Sequence, residues 1–393
     1  FWSPDSQHLA FTEVNNQPVE TLYVGDALHP EQPPQPLRYP RAGTDNAEVR
    51  LGVIAVGGGP PLWVEWARDR LPYLATVVWR EGGPLLLTLL SRSQRELELV
   101  TVDTKTGKTQ RLLSEHSDAW VNIDQDVPRP LQDGSGFLWT SERQGMRELE
   151  LRDYTGSVKR LIVDKSQGFR KLLHVDEPGG IISYAASVEP TAQDIYRVSL
   201  VSGNPIKLTA SGGYHMASFG QHPGVYVLSS YSTSQLGKTV VMRIPEPRQA
   251  AAPDQVVAEL PSVSTTPPFV PNLEIAQVGA QAYRSLLVRP RNFKPGKKYP
   301  VLVHVYGGPH HNQVMAIAGM YMLDQWLADH GFIVFMTDGR GTPGRGTTWE
   351  HAIVGNFGEI PLEDQVAALQ AAGERFPEMD LSRVGVFGWS FGG

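Results

Sequence analysis

The residues best suited to chemistry stand together at Gly388-Trp389-Ser390-Phe391-Gly392-Gly393. Gly388, Ser390 and Gly392 have the G-x-S-x-G spacing of a nucleophile elbow, a tight strand-to-helix turn that holds a serine hydroxyl out of a sheet. The spacing has a steric cause. The turn forces the serine into unfavourable φ/ψ, and flanking residues without side chains let the chain on either side approach closely enough to make it. Attack by such a hydroxyl on an acyl carbon builds negative charge on oxygen, which needs donors fixed in place beforehand. The N–H of Phe391, just after the nucleophile, is one donor by the geometry of the elbow. The loop Tyr306-Gly307-Gly308-Pro309, at the end of an earlier strand, is placed to supply the other. Its glycines permit close backbone approach and Tyr306 offers a phenolic O–H.

A serine also needs a general base, itself oriented by an acid. On this scaffold the chain order is Ser, then Asp or Glu, then His, which puts both partners after residue 390. No residue of the sequence is therefore assigned to either role, and the chain on its own is expected to be inactive. His304, His310, His311 and Asp338 share the region. His310 and His311 read as a solvated loop, and Asp338 as a loop-capping or Arg-paired carboxylate. The histidines show no metal-ligand spacing, so no cofactor is expected.

The elements that must position these residues form an α/β pattern from about residue 272. Strands are expected at 286–288, 301–306 and 332–336, with Val384 to Phe387 a short buried strand leading into the elbow. A helix over 320–329 carries the stripe Met320, Leu323 and Leu327 and ends at Gly331. A second opens with Pro361 at its first position, has Glu363 and Asp364 in its first turn, presents Val366, Leu369 and Ala372, and stops before Pro377.

Before this region the texture differs. Short apolar runs separated by Gly, Pro, Asn and Asp read as all-β. Three hairpins recur, turning at Gly107, Gly156 and Gly203, 49 and 47 residues apart, each preceded by another strand: 84–90, 137–140 and 181–185. A period of about 48 residues with one hairpin per unit is the signature of propeller blades, against a β-sandwich with coincidental spacing. About five blades are counted, the first entered partway at Phe1, so the propeller is expected to be partial. Prolines 245, 247, 253, 261, 267, 268 and 271 mark the boundary. The expected organisation is a partial β-propeller over 1–250 and the N-terminal part of an α/β-hydrolase domain over 251–393.

Composition bounds the partners. The 393 residues carry a net charge of −6 and no basic block, so nucleic acid and anionic membrane surfaces are not expected partners. No apolar run approaches the roughly 18 residues of a membrane helix. The absence of cysteine excludes disulfides, thiolate catalysis and cysteine metal sites, and is compatible with periplasm or cytoplasm.

Together Trp389 before the serine, the Tyr306 loop after Lys298-Tyr299-Pro300-Val301, Asp338-Gly339-Arg340-Gly341, and Gly358-Glu359 leading to Glu363-Asp364-Gln365 resemble the prolyl oligopeptidase family of serine peptidases. Trp389 and the segments Trp2-Ser3-Pro4-Asp5, Tyr39-Pro40-Arg41-Ala42-Gly43 and Trp139-Thr140-Ser141-Glu142-Arg143 are similar to its dipeptidyl peptidase IV branch. The resemblance implies removal of N-terminal dipeptides with proline or alanine in the second position, through an acyl-enzyme on Ser390, with Tyr306 and the Phe391 N–H on the oxyanion. Phe391 stands where the branch more often has tyrosine, in the wall of the proline pocket. The branch's amine-anchoring glutamate pair would lie upstream of Phe1, and homodimers are common. The alternatives are another acyl hydrolase on the same scaffold, an acylaminoacyl peptidase or esterase, and a non-catalytic propeller that binds peptides.

Overall fold

The computed structural model describes residues 1–220, 224–246, 248 and 253–393. The chain divides into two compact units, residues 1–139 with 151–160 and residues 140–150 with 161–393. In the first unit, strands His8–Asn15, Glu48–Ala55 and Leu62–Trp63 form one antiparallel sheet. Strands Tyr73–Val78, Leu85–Leu90, Glu96–Val102 and Thr109–His116 form a four-stranded sheet whose sequence neighbours pair. One apolar cluster, including Ala10, Leu51, Val53, Leu85, Leu87 and Val100, draws on both. The division of the chain runs through a third sheet, of strands Arg129–Pro130, Phe137–Ser141, Glu148–Arg152 and Val158–Val163. The second unit adds two four-stranded sheets, over residues 169–207 and 214–260. The four-stranded sheets are meanders of consecutive strands, as propeller blades are, with none of the strand exchange of a sandwich.

The glycine repeat has a packing cause at two of its three positions. Gly107 and Gly156 have φ of 77° and 88°, and a Cβ added to them would lie 2.4 Å from the Trp63 carbonyl oxygen and 1.9 Å from that of Leu112. Each hairpin turn thus lies against the backbone of an earlier sheet, where only glycine fits. Gly203 has the positive φ, 100°, with open space around it, so there the turn alone selects glycine. The expected boundary at 250/251, and Pro247 within it, lie outside the described residues.

The sheet that carries the elbow has the order 273–278, 283–288, 333–338, 299–305, 379–388. The first two pairings are antiparallel and the last two parallel. Its strands alternate between two cores. Leu287, Val301, Val303, Ile333 and Phe335 pack with Ala368 and Ala372 of helix Glu359–Arg375, while Leu286, Val288, Val334 and Met336 pack with Tyr321 and Ala328 around helix Met322–Asp329.

Three sequence expectations change here. The stripe expected over 320–329 splits: Met320, in the turn before helix Met322–Asp329, is 48% and Leu323 60% exposed, Leu327 packs on the second core, and Asp324, Gln325 and Ala328 are buried. The buried polar groups are paired, Asp324 with His304 and Gln325 with the backbone of Asn272 and Arg289, which removes the cost of burying them. The second helix begins at Glu359, two residues before Pro361. Asn356 accepts from the Glu359 N–H and donates to its carboxylate, and Pro361, third in the helix, sits where N–H groups have no intrahelical partner. Its Val366 is exposed; Leu369 packs on the core and Ala372 is buried. The elbow strand, Met379–Gly388, is the last of the order within residues 1–393, and there Val384 is 40% and Val386 69% exposed rather than buried.

Candidate active site

The parallel register between Tyr299–Val305 and Met379–Gly388 pairs His304 with Phe387 and Val305 with Gly388, so Tyr306 and the elbow emerge from the same end of the sheet. Ser390 has φ 57°, a left-handed conformation that costs a non-glycine residue on the order of 1–3 kcal/mol. The turn crosses the end of the neighbouring strand. A Cβ on Gly392 would lie 2.0 Å from the Val305 carbonyl oxygen, and one on Gly388 would lie 2.0 Å from the carbonyl oxygen of Gly392. Neither glycine has a positive φ, so close approach alone demands them.

The Tyr306 loop meets the elbow. A Cβ on Gly308 would lie 2.8 Å from the Phe391 ring and 3.0 Å from that of Tyr306, and Gly307 has φ 69°. The Tyr306 and Phe391 ring centroids are 6.2 Å apart. Trp389 projects from the turn, 83% exposed. A cavity of about 430 Å³, lined by Val305, Phe357, Pro361, Leu362, Val386 and Phe391 among others, lies on the side of helix Glu359–Arg375. A second, of about 260 Å³, lies between Tyr306, Trp389, His304, His311 and Asp324.

The remaining candidates have other partners or face solvent. His304 Nδ1 is 2.8 Å from Asp324, and its ring stacks on Phe387 at 4.4 Å. His310 and His311 are exposed, as expected of a solvated loop. Asp338 caps a loop: its two oxygens accept the N–H groups of Gln313 at 2.8 Å and Val314 at 3.0 Å. Burial pushes its carboxyl up to about 7, with the two N–H donors pulling the other way. The Arg-paired carboxylate is instead Asp364, fully buried, which takes Nη2 of Arg340 at 2.7 Å, the Arg340 N–H at 2.6 Å and the Tyr283 hydroxyl at 2.7 Å. Burial, and then Asp364, pushes the Tyr283 phenol up to about 12. Sequence reasoning missed the pairings His304–Asp324 and Glu189–Arg284. No local signal marks them, since the partners are 20 and 95 residues apart.

Residues 1–236 match the family described as "Dipeptidyl peptidase IV (DPP IV) N-terminal region". The chain belongs to the dipeptidyl peptidase IV branch of the prolyl oligopeptidase family. Residues 321–393, which include the elbow, match the "Prolyl oligopeptidase family" itself. Among curated relatives, the chain is 27% identical to a probable dipeptidyl-aminopeptidase B of Emericella nidulans, covering 100% of this chain and 47% of that protein. It is 26% identical to dipeptidyl peptidase 8 of Homo sapiens, covering 98% of this chain and 51% of that protein. The chain thus spans about half the length of these relatives. The crystal structure of Porphyromonas gingivalis dipeptidyl peptidase 4 superposes with a TM-score of 0.86 at 24% identity, over 100% of this chain and 56% of that one. That likeness establishes the fold, a propeller followed by the start of an α/β-hydrolase domain. No helix among the described residues is long and apolar enough to cross a membrane.

Proposed function

We propose that the full-length protein containing this chain is a serine exopeptidase that releases N-terminal X-Pro, or X-Ala, dipeptides from peptides. The observation that carries this is Ser390 in a left-handed turn, between two glycines that permit no side chain, at the sheet end where the Tyr306 loop meets it. Ser390 attacks the carbonyl carbon of the substrate's second residue. The Phe391 N–H and Tyr306 hydroxyl take the charge developing on oxygen, and the amine leaves to give an acyl-enzyme that water resolves. Phe391 also forms a wall of the pocket for the proline ring. Gly388, Trp389 and Gly392 shape the turn, and Gly307 and Gly308 let the Tyr306 loop approach it. The strain at Ser390 supports a catalytic role over a purely binding one, because a left-handed serine persists only where the surroundings impose it. The proposed organisation is a propeller to residue 250 and hydrolase from 251, in a protein that assembles as a homodimer.

The test is hydrolysis of Ala-Pro and Gly-Pro arylamides by the full-length protein. Turnover should be abolished by Ser390→Ala, and Tyr306→Phe should lower kcat on the order of 10²–10³. Turnover of N-acetyl-alanyl arylamide or simple esters, with Ala-Pro arylamide untouched, would move the protein to an acylaminoacyl peptidase or esterase.

A further inference from the structure

The segment 307–318 follows Tyr306 directly and is held from two sides. On one side, Asp338 of the sheet accepts the N–H groups of Gln313 and Val314, and the hydroxyl of Tyr321, just before helix Met322–Asp329, accepts from Met315 N–H at 2.7 Å. From the blades, the Thr191 carbonyl accepts the Ala316 N–H at 2.8 Å, the Pro190 carbonyl accepts Asn312 Nδ2 at 3.3 Å, and the Ser232 carbonyl accepts the Ala318 N–H at 3.0 Å. Two of these three carbonyls belong to one turn, residues 189–191, between the strands Ile181–Ala186 and Asp194–Ser199.

Glu189 organises that turn. One of its oxygens accepts the Thr191 hydroxyl at 3.1 Å and N–H at 3.3 Å, and the carboxylate takes Nε and Nη2 of Arg284 at 3.1 and 2.9 Å. Arg284 lies on the sheet strand Tyr283–Val288 and pairs in register with Asp338. The two holds on the segment thus meet through adjacent strands. Burial works against the Glu189 charge, and Arg284 with Thr191 outweighs it, keeping the carboxyl below its ordinary value.

The held segment is not at rest by itself. His310 has φ 63°, and Asn312 Oδ1 and Gln313 Oε1 are buried without a protein partner. Such features persist only where the surroundings over-determine them. The link to Tyr306 is direct, because His311 packs edge-on against its ring at 5.0 Å between centroids. We propose that Glu189 is a positioning residue for the Tyr306 hydroxyl, acting through the 189–191 turn, the clamped residues 312–316 and His311. This rests on the proposed role of Tyr306 as oxyanion donor.

The experiment is a double-mutant cycle in the full-length protein with Ala-Pro arylamide. Glu189→Ala is expected to lower kcat about tenfold, with KM within about twofold and the near-UV circular dichroism retained. In a Tyr306→Phe background the same substitution is expected to cost less than about twofold, because the group it positions is gone. Equal losses in both backgrounds, or a folded Glu189→Ala with unchanged kcat, overturn the proposal and leave Tyr306 in its role. A Tyr306→Phe loss below about threefold overturns the role of Tyr306 and the proposal with it. If Glu189→Ala does not fold, Glu189→Gln goes through the same cycle. It keeps the oxygen that Thr191 uses, loses the charge facing Arg284, and should cost kcat about threefold in the Tyr306 background alone.

Discussion

Gly392→Ala separates the cost of close approach from that of backbone freedom. Gly392 has no positive φ, so alanine is compatible with its dihedrals. The added methyl would lie 2.0 Å from the Val305 carbonyl oxygen and 3.1 Å from the Tyr306 Cα, whereas real Cβ contacts stay above 3.0 Å. The obstructing atoms are backbone, at the end of the strand that delivers Tyr306, so relief takes a displacement of about 1 Å of the elbow or of that strand. A misplacement of about 1 Å in a reacting constellation costs on the order of 10²-fold in rate, or about 3 kcal/mol of transition-state stabilisation. The assay is kcat/KM for Ala-Pro arylamide by the full-length variant, with near-UV circular dichroism to confirm the fold. Gly385→Ala, in the strand that leads into the elbow, is the graded comparison. Its methyl meets only Leu302 Cδ2, at 3.0 Å, a side-chain end free to give way. It should stay within about threefold of wild type. A folded Gly392→Ala that keeps more than about a third of wild-type kcat/KM, or a Gly385→Ala equally impaired, would refute the steric account of the elbow.

Other outcomes are expected on the same physical grounds. Asp338 is pushed up to about 7 in the folded protein from its ordinary 3.8, so its contribution to stability is fully present below about 3.8 and lost as pH rises through about 7. Asp338→Asn, which does not ionise, should gain on wild type by up to about 3 kcal/mol between pH 5 and pH 8. Urea unfolding at the two pH values checks this, and a constant difference would remove the desolvated carboxylate from the account. Arg340→Ala leaves Asp364 buried with its cation gone and should destabilise by about 3–5 kcal/mol in the same measurement; a loss under 1 kcal/mol would mean that Tyr283 and the Arg340 N–H suffice.

The candidate site was legible in the sequence where its constraints are local. A nucleophile turn needs small residues at fixed offsets, so Gly388, Ser390 and Gly392 announce themselves, and the glycine-rich loop after a buried strand identifies Tyr306 for the same reason. The reach of that reasoning ended at partners. Asp338 carried the expectation of a loop cap or an arginine pair. The structure makes it the cap, and gives Arg340 to Asp364, 24 residues further on. Of the stripe Met320, Leu323 and Leu327, Leu327 packs on the core while Met320 and Leu323 are exposed, because hydrogen bonds with His304 and the Asn272 backbone let Asp324 and Gln325 take buried positions.

By itself the sequence determined the blade repeat, the alternation of the hydrolase sheet and the spacing of the candidate elbow. Each follows from φ/ψ limits and side-chain periodicity acting over a few residues. Only the tertiary structure decided that the elbow strand runs parallel to Tyr299–Val305, which face of helix Met322–Asp329 is buried, and that Glu189 and Arg284, 95 residues apart, join in holding the segment after Tyr306. Those outcomes depend on which polar groups meet once the chain is folded, and no local spacing specifies a partner so far away.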